Sequence, residues 1–250
     1  MDTRKPLISI ITPTLNDGAA LRRTIESVDS QSWRPIEHII VDGSGSISQL
    51  SGEHDGIYRQ TIHSAARGVY DAINRGIANC SGDIIGILNG NDRLASPHVI
   101  SDIASAFMNN PEADYTYGHV YFSNAEGKTV RRYRTDNYDI NNLKHGFAPP
   151  HPSLYMRRQA LMLAGPYNCD YVTAADFDMF VRIFSNRNLQ GMMLDIDFAE
   201  MSTGGMSGSW RSRLWTNPRE RLKSLRSHGY DVSAVSLIPR YIRLFKEYFK

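Results

Sequence analysis

The chain has 250 residues, enough for one large domain or one domain with a modest appendage. Its hydrophobic content of 41% and charged content of 22% are ordinary for a soluble globular protein with a substantial core. The formal net charge of +2 gives no indication of nucleic acid as a partner. No run reaches the roughly 18–20 apolar residues that span a bilayer.

Cysteine usage and the N-terminus bear on the compartment. The two cysteines, Cys80 and Cys169, form no C-x-x-C pair, which argues against a disulfide framework or a zinc site. The apolar stretch Leu7–Thr12 is short for a secretory signal. We therefore expect a cytoplasmic protein.

The first half of the chain alternates β-rich runs with helical patterns. Predicted strands cover 7–12, 36–41, 57–62 and 84–88. The first strand is predicted to stop at Pro13. Helical spacing of apolar residues predicts helices over 18–31 and 69–78, and Ser96-Pro97 is typical of an N-cap that opens a third. This alternation indicates an α/β fold with a mostly parallel central sheet and helices on both faces.

The second half is less regular. We predict a hairpin with strands at 115–122 and 128–134, a strand at 151–156, a helix at 157–164 and a strand at 192–198. Gly165 is expected to end the short helix, and Thr173 to cap the next one. After a small-residue loop at 202–209, two basic helices are expected to finish the chain.

Three polar segments follow predicted strands, where parallel α/β sheets bind ligands: Thr12–Asn16, Asp42–Ser46 and Asn89–Asp92. Asp42, beside two glycines, suits a contact with a base or ribose. Asp92 suits a hard cation such as Mg²⁺ or Mn²⁺, which takes one or two carboxylates plus substrate phosphates. Each segment alone is equally typical of a polar turn, with Asp42 as a local cap.

Predicted helices carry three further polar candidates. Asp71 and Asn74 are three residues apart and share one face, although solvated helix surface explains them equally well. Asp176 lies at a predicted helix start, where the helix dipole keeps a carboxylate ionised and suited to act as a general base. Simple helix capping is the alternative for Asp176.

These segments together resemble the family 2 inverting glycosyltransferases with the GT-A fold, above all bacterial members that build exopolysaccharide and O-antigen repeat units. Four motifs carry the resemblance in order: Pro-Leu-Ile-Ser-Ile-Ile-Thr-Pro-Thr-Leu-Asn (6–16), Ile-Ile-Val-Asp-Gly-Ser (39–44), Gly-Val-Tyr-Asp-Ala-Ile-Asn-Arg-Gly-Ile (68–77) and Gly-Asp-Ile-Ile-Gly-Ile-Leu-Asn-Gly-Asn-Asp (82–92). Segments at 151–158, 175–182 and 202–207 extend it to about residue 207.

The resemblance implies a nucleotide-diphospho-sugar transferase (GT-A) domain over 1–209 and a C-terminal helical appendage over 210–250. Within the domain, 1–110 would be the nucleotide-binding half and 111–209 the acceptor-binding half. The residues implied at the donor nucleotide, with uracil as the expected base, are Thr12, Pro13, Asn16, Asp42, Asp71, Asn74 and Asn91.

The remaining implied roles concern the chemistry and the acceptor. Asp92 would bind the metal, and Asp176 would be the catalytic base. His151, Gly204, Gly205 and Ser207 would form the acceptor or diphosphate loop. One departure stands at Asn91, where the family usually has aspartate, so donor choice and metal affinity are affected.

The expected activity is therefore metal-dependent transfer of a sugar from a UDP-sugar to a hydroxyl of a glycan or lipid-linked acceptor in cell-surface polysaccharide biosynthesis. One alternative is a nucleotidyltransferase, but Thr12–Gly18 contains no Lys or Arg for a triphosphate loop. Another is a catalytically weak or inactive nucleotide-sugar-binding protein, which Asn91 favours.

The C-terminal segment Leu237–Lys250 has the pattern of a basic amphipathic helix. Such a helix can lie on an anionic membrane, which would place the protein at the inner face of the cell membrane. Docking of its apolar face onto the main domain, or onto a second copy in a homodimer, explains the pattern equally well.

Overall fold

A computed structural model describes residues 4–15, 18–47, 50–124, 126–135, 138–202 and 216–248, with the backbone alone for 244–248. The strands are β1 (Ile8–Thr14), β2 (Ile36–Asp42), β3 (Ser51–His54), β4 (Ile57–His63), β5 (Ile84–Ile87), β6 (Arg93–Leu94), β7 (Tyr115–Ser123), β8 (Thr129–Tyr133), β9 (Tyr155–Arg157) and β10 (Gly191–Ser202). The α-helices are α1 (Ala19–Asp29), α2 (Val69–Asn79), α3 (Val99–Asn109), α4 (Ile140–Lys144), α5 (Arg158–Ala164), α6 (Ala175–Ser185), α7 (Asn217–Ser227) and α8 (Ile238–Tyr248).

All these strands belong to one mixed sheet, in the order β3-β4-β2-β1-β5-β9-β7-β10-β6, with β8 beside β7. Strands β4, β2, β1 and β5 pair in parallel. Strand β9 is antiparallel to both β5 and β7, so β7 runs with β5, and β10 pairs in parallel with β7. The principal strands therefore end at one common edge, which confirms the predicted α/β architecture.

Alternating side chains of the strands build a core on each face of the sheet. Ile11 of β1 packs on one face with Ile73 of α2 and Phe177 of α6. Ile10, its neighbour in β1, packs on the opposite face with Ile103 and Phe107 of α3. Because both faces are covered, β1 and β2 are buried along almost their whole length, and polar residues such as Ser9, Glu37 and His38 are buried with the apolar ones.

Strand β1 does not stop at Pro13 as predicted. Pairing with β2 continues through Pro13 to Thr14, which lies opposite Asp42. The carbonyl of Pro13 accepts a hydrogen bond from Gly90 on the β5 side, where strand pairing has already ended at Ile87. The missing proline N–H points to that same side, so it costs no bond of the β1–β2 ladder.

Three further boundaries were predicted wrongly. Helix α3 begins at Val99 with His98 as its N-cap, because the Ser96 hydroxyl bonds the N–H of His98 within the preceding turn. Helix α6 begins at Ala175 with no side-chain cap, since Thr173 hydrogen-bonds Glu220 of α7. The strand over 151–156 is replaced in its first part by a 3-10 helix, His151–Ser153, whose Pro152 cannot donate to a ladder. Gly165 does end α5, with a φ of 78°.

The C-terminal helices pack against the domain through polar contacts. Ser224 of α7 donates to the buried carboxylate of Asp178 at 2.7 Å. In α8 the arginines face inward: Arg240 donates to the carbonyl of Gly146 at 3.0 Å, and Arg243 lies over the ring of Tyr133. Ile238 and Ile242, on the opposite side of α8, are exposed. Among the described helices, none has the length and apolar character needed to cross a membrane.

Candidate functional site

The candidate residues gather at the common carboxyl edge of the principal strands. Asp42 ends β2, and Asn89–Asp92 follow β5. Helix α2 starts at this edge because it follows β4, and α6 starts there because it leads back to the beginning of β10. Ligands of open α/β sheets bind at this edge, so the topology brings together groups from both halves of the chain.

Asp92 is a buried carboxylate whose exposed fraction is 3%. It accepts hydrogen bonds from the side-chain amide of Asn89, at 2.9 Å, and from the main chain of Ser202. Burial raises the pKa of Asp92 to about 6, against the opposing effect of those two bonds. The loop is held close to β1 at Gly90, where a Cβ would lie 2.7 Å from the Thr14 side chain.

The end of β10 borders this loop. The amide of Asn91 donates to the Ser202 hydroxyl at 3.0 Å, and β6 pairs with β10 through Arg93 and Glu200. Glu200 receives hydrogen bonds from Arg93, Tyr121 and Ser123. Burial pushes the pKa of Glu200 upward, but these bonds outweigh it and hold the pKa below its usual value. Of the predicted loop after β10, Gly204, Gly205 and Ser207 lie outside the described residues.

The predicted donor residues of β1 are held from within the sheet. Thr12 is fully buried, and its hydroxyl is 2.9 Å from Nε2 of His38. Burial, with the nearby charge of Arg59, lowers the pKa of His38 to about 3, so this ring is neutral. Pro13 is buried as well, and Asn16 lies outside the described residues. The Thr12 hydroxyl is therefore engaged inside the sheet, and the role of Thr12 at the donor nucleotide remains a prediction.

Asp42 is fully buried and bonded by its own loop. It accepts from the N–H and hydroxyl of Ser44, at 2.8 and 2.6 Å, and from the N–H of Ile47 at 2.9 Å. Nδ1 of His63, at the end of β4, is 3.2 Å away. Burial raises the pKa of Asp42, yet these hydrogen bonds lower it further, with a net downward shift. These contacts are those of a carboxylate that caps its own turn, which is the alternative that the sequence left open for Asp42. His63, beside this turn, is exposed.

Asp71 and Asn74 of α2 are both engaged. Asp71 accepts from the N–H of Arg67 at 2.9 Å and pairs with Arg75 one turn later, and both contacts lower its pKa. The Asn74 amide binds the main chain of Tyr167 on both sides, at 2.8 Å each. Both side chains therefore have protein partners, so the alternative that they are simply solvated residues on the helix surface does not describe them.

Asp176 lies in the first turn of α6 and is partly exposed. Its Oδ1 accepts from the N–H of Phe177 at 2.7 Å. Burial, with the positive charge of Arg240, lowers the pKa of the buried Arg221 of α7 to about 9. The negative charge of Asp176 opposes this shift. A partly exposed carboxylate at a helix start is suited to accept a proton.

His151 connects the 3-10 helix to the surroundings of Asp176. Its Nε2 is 2.9 Å from the hydroxyl of Tyr167. Burial lowers the pKa of His151, and the negative charge of Asp176 opposes that shift only in part. Because β9 starts opposite Gly86 of β5, His151 lies at the same sheet edge as Asn89–Asp92. The role of His151 in the acceptor or diphosphate loop remains a prediction.

Comparison with known proteins decides the family. The family model "Glycosyl transferase family 2" matches residues 9–184, well over half of the chain. This chain belongs to glycosyl transferase family 2. The family assignment and the GT-A fold that the motifs implied are therefore confirmed.

Relatives of this family 2 glycosyltransferase occur in glycan biosynthesis. A Mycobacterium bovis protein described as a PGL/p-HBAD biosynthesis glycosyltransferase is 29% identical over 214 residues, covering 82% of this chain and 80% of the relative. The O-antigen biosynthesis protein RfbC of Myxococcus xanthus is 26% identical over 233 residues, and the match covers 90% of this chain but 18% of RfbC.

Solved structures share the fold. S. aureus TarS 1-349 in complex with UDP-GlcNAc superposes with a TM-score of 0.62 at 14% identity, covering 92% of this chain and 70% of that one. The longer TarS chain gives a TM-score of 0.61 at 13% identity, and the match covers 91% of this chain and 41% of TarS. At this identity the likeness concerns the fold alone.

The residues of this family 2 glycosyltransferase fit a metal held by one carboxylate. The described residues contain no group of three or more His, Cys, Asp or Glu side chains that could bind an ion alone. Asp92, however, is a buried carboxylate that none of the described basic side chains pairs with. A hard cation satisfies such a group when substrate phosphates complete its oxygen ligands.

Several residues of the site escaped the sequence analysis. Tyr70, one turn before Asn74, was detectable because residues four apart share a helix face. His63 directly follows a predicted strand, which is the same signal that singled out Asp42. Tyr167 has no comparable signal, since only the folded chain brings it to the edge. Ser202 begins the predicted loop at 202–209, but its contact with Asn91 has no signal in the sequence.

Proposed function

We propose that this family 2 glycosyltransferase is an inverting enzyme that transfers a sugar from a nucleotide-diphosphate donor, a UDP-sugar, to a hydroxyl of a glycan or lipid-linked acceptor in cell-surface polysaccharide biosynthesis. One observation carries the proposal: Asp92 and Asp176, from the two halves of the chain, lie at the carboxyl edge of the same sheet. UDP-GlcNAc in TarS and the biosynthetic roles of the M. bovis and M. xanthus relatives support this choice of donor and product class.

In the proposed mechanism Asp176 is the general base. The acceptor hydroxyl oxygen attacks the anomeric carbon as the bond to the nucleoside diphosphate breaks on the opposite side. Asp176 takes the hydroxyl proton, and attack from the opposite side inverts the anomeric configuration. The partial exposure of Asp176 supports this role, because a base must reach a bound substrate.

Asp92 is proposed to hold a divalent cation, Mg²⁺ or Mn²⁺. When bound, that cation supplies positive charge beside the departing diphosphate. Asn89 and Ser202 orient the Asp92 carboxylate, and Asn91 stands beside it where the family usually has a second carboxylate. We propose that the donor binds with its diphosphate near Asp92, and its nucleoside toward β1 and β2.

A donor screen tests the proposal. UDP-, GDP- and dTDP-sugars are incubated with the protein, with Mn²⁺, with Mg²⁺ and with EDTA, and release of the nucleoside diphosphate is followed. We expect UDP release from a UDP-sugar that depends on the metal. Saturable UDP binding without release from any sugar would favour the alternative of an inactive nucleotide-sugar-binding protein. Release of pyrophosphate from a nucleoside triphosphate would favour a nucleotidyltransferase.

We also propose that α8 contacts a membrane peripherally. Two of its side chains support this: Ile238 and Ile242 are 47% and 52% exposed and lie one turn apart on one side of the helix. Val235, in the 3-10 helix that directly precedes α8, is 69% exposed. Liposome flotation of the chain and of the variant Ile238→Asp/Ile242→Asp tests this. Equal recovery of both would end the membrane proposal, and a concentration-dependent dimer that the variant loses would replace it with a homodimer.

A further inference from the structure

The side-chain amide of Asn74 hydrogen-bonds the main chain of one residue, Tyr167, through both its nitrogen and its oxygen. Its Nδ2 donates to the carbonyl of Tyr167 at 2.8 Å, and its Oδ1 accepts from the N–H of the same residue at 2.8 Å. Nδ2 also lies 3.4 Å from Sγ of Cys169. A side-chain amide that bonds both the N–H and the carbonyl of one residue satisfies that residue's main chain, as a neighbouring strand would. Here the residue lies in the loop that links α5 to α6.

Tyr167, once fixed, is packed between two side chains. It is 3% exposed, and its ring is stacked on that of Tyr70 with centroids 6.2 Å apart and planes 7° apart. The ring of His151 meets it edge-on at 5.3 Å, and the Tyr167 hydroxyl is 2.9 Å from Nε2 of that histidine. Tyr167 therefore joins α2 to the 3-10 helix at the sheet edge.

Tyr70 completes the connection to α6. Its phenol oxygen lies beside the main-chain N–H groups of Ala175 and Asp176, in the first turn of a helix that has no side-chain cap. Burial and the negative charge of Asp176 raise the pKa of Tyr70, against the effect of those two N–H groups. The phenol therefore keeps its proton, and its neutral hydroxyl lies beside helix N–H groups that no side chain caps.

We propose that Asn74, Tyr70 and Tyr167 are positioning residues, which hold the first turn of α6 and so fix the Asp176 carboxylate relative to the sheet edge. Tyr70 and Asn74 lie one turn apart on the same face of α2, so this single helix holds both the loop and the helix start. The inference rests on the proposed function and deepens it. It also gives Asn74 a role other than contact with the donor nucleotide.

Kinetics separate positioning from donor contact. We expect Asn74→Ala and Tyr70→Phe to lower kcat for donor turnover about tenfold or more, because small misplacements of a reacting group are costly. Donor KM and the Kd for UDP should stay within about twofold, since no ground-state contact is lost. Asn79→Ala is the matched control: Asn79 is exposed on the same helix, and its side-chain amide donates to the carbonyl of Arg75 within that helix, so kcat of this variant should not change. A loss of UDP affinity that matches the loss of kcat would overturn the inference for Asn74.

Hydrogen–deuterium exchange provides a second measurement that needs no activity. In Tyr70→Phe the amides of Ala175 and Asp176 lose the hydroxyl that lies beside them and should exchange about threefold faster or more, while Asn79→Ala should match the wild type. Unchanged exchange over 170–180 in both Tyr70→Phe and Asn74→Ala would overturn the inference. If the wild type turned over no nucleotide sugar, the proposed function would fail, and the exchange data would still decide whether these residues hold the start of α6.

Discussion

Thr24 of helix α1 donates its buried hydroxyl to the carbonyl oxygen of Asp92 at 2.6 Å. This bond ties the candidate metal loop to a helix that shares no motif with it. We expect Thr24→Val to lower the free energy of unfolding by about 1–3 kcal/mol, because the Asp92 carbonyl loses its partner. The concentration of Mn²⁺ needed for half-maximal donor turnover should also rise. Thr24→Ser, which keeps the hydroxyl, should stay close to the wild type in both urea unfolding and metal titration.

Asp92→Asn tests the metal carboxylate itself. The substitution keeps the shape of the side chain and removes the charge, so the Mn²⁺-dependent part of UDP affinity should fall about tenfold or more. Affinity for UDP in EDTA should not change. Calorimetric titration with and without Mn²⁺ measures both quantities, and an unchanged Mn²⁺ effect would remove Asp92 as the ligand.

Asp42 should contribute to stability in a pH-dependent way. Its pKa is lowered in the folded chain, so its stabilising effect is complete above the unfolded pKa of about 3.9 and disappears as pH falls through the folded pKa. Asp42→Asn leaves the N–H of Ile47 without its carboxylate acceptor, and we expect a loss of about 1–3 kcal/mol at pH 7. Urea unfolding of the wild type and of Asp42→Asn should show that the difference between their free energies of unfolding decreases below pH 4. A gap that is constant between pH 7 and the acid limit would contradict the account.

Glu220 of α7 holds the segment just before α6. Its carboxylate accepts from the N–H groups of Val172 and Thr173, at 2.8 Å each, and from the Thr173 hydroxyl. We expect Glu220→Ala to reduce stability by about 1 kcal/mol, since these hydrogen bonds are lost while water can reach the exposed and half-buried N–H groups. It should also lower kcat while UDP affinity is maintained. Glu112→Ala, an exposed carboxylate in the turn after α3, is the control and should change neither quantity.

Much of the fold was predictable because its core is periodic. The helices α1 and α2 and the strands β2, β4 and β5 lie within about two residues of their predicted ranges, since apolar residues of regular spacing fill both core clusters. Strand β3 escaped prediction because all of its residues are exposed and carry no apolar pattern. The polar end of β10 escaped as well, because Glu200 is stabilised by partners from β6 and β7 that only the folded chain supplies.

The candidate site was predictable as a place but not as a set of contacts. Strand ends are visible in a sequence, and this located Asp42 and Asp92 at the edge. What each side chain binds depends on long-range packing. Asn74 meets Tyr167 at a separation of 93 residues, and Asn91 meets Ser202 at a separation of 111. Neither contact could be predicted from the spacing of neighbouring residues in the sequence.

The most direct test of the account is donor turnover by Asp176→Asn. With a UDP-sugar and Mn²⁺ at saturation, we expect the rate of UDP release to fall about 100-fold or more, because a neutral amide cannot accept the proton. The Kd for UDP should match that of the wild type. Asp170→Asn, an exposed carboxylate a few residues before α6, should release UDP at the wild-type rate. Turnover by Asp176→Asn close to that of the wild type would contradict the assignment of Asp176 as the base, and with it the proposed mechanism.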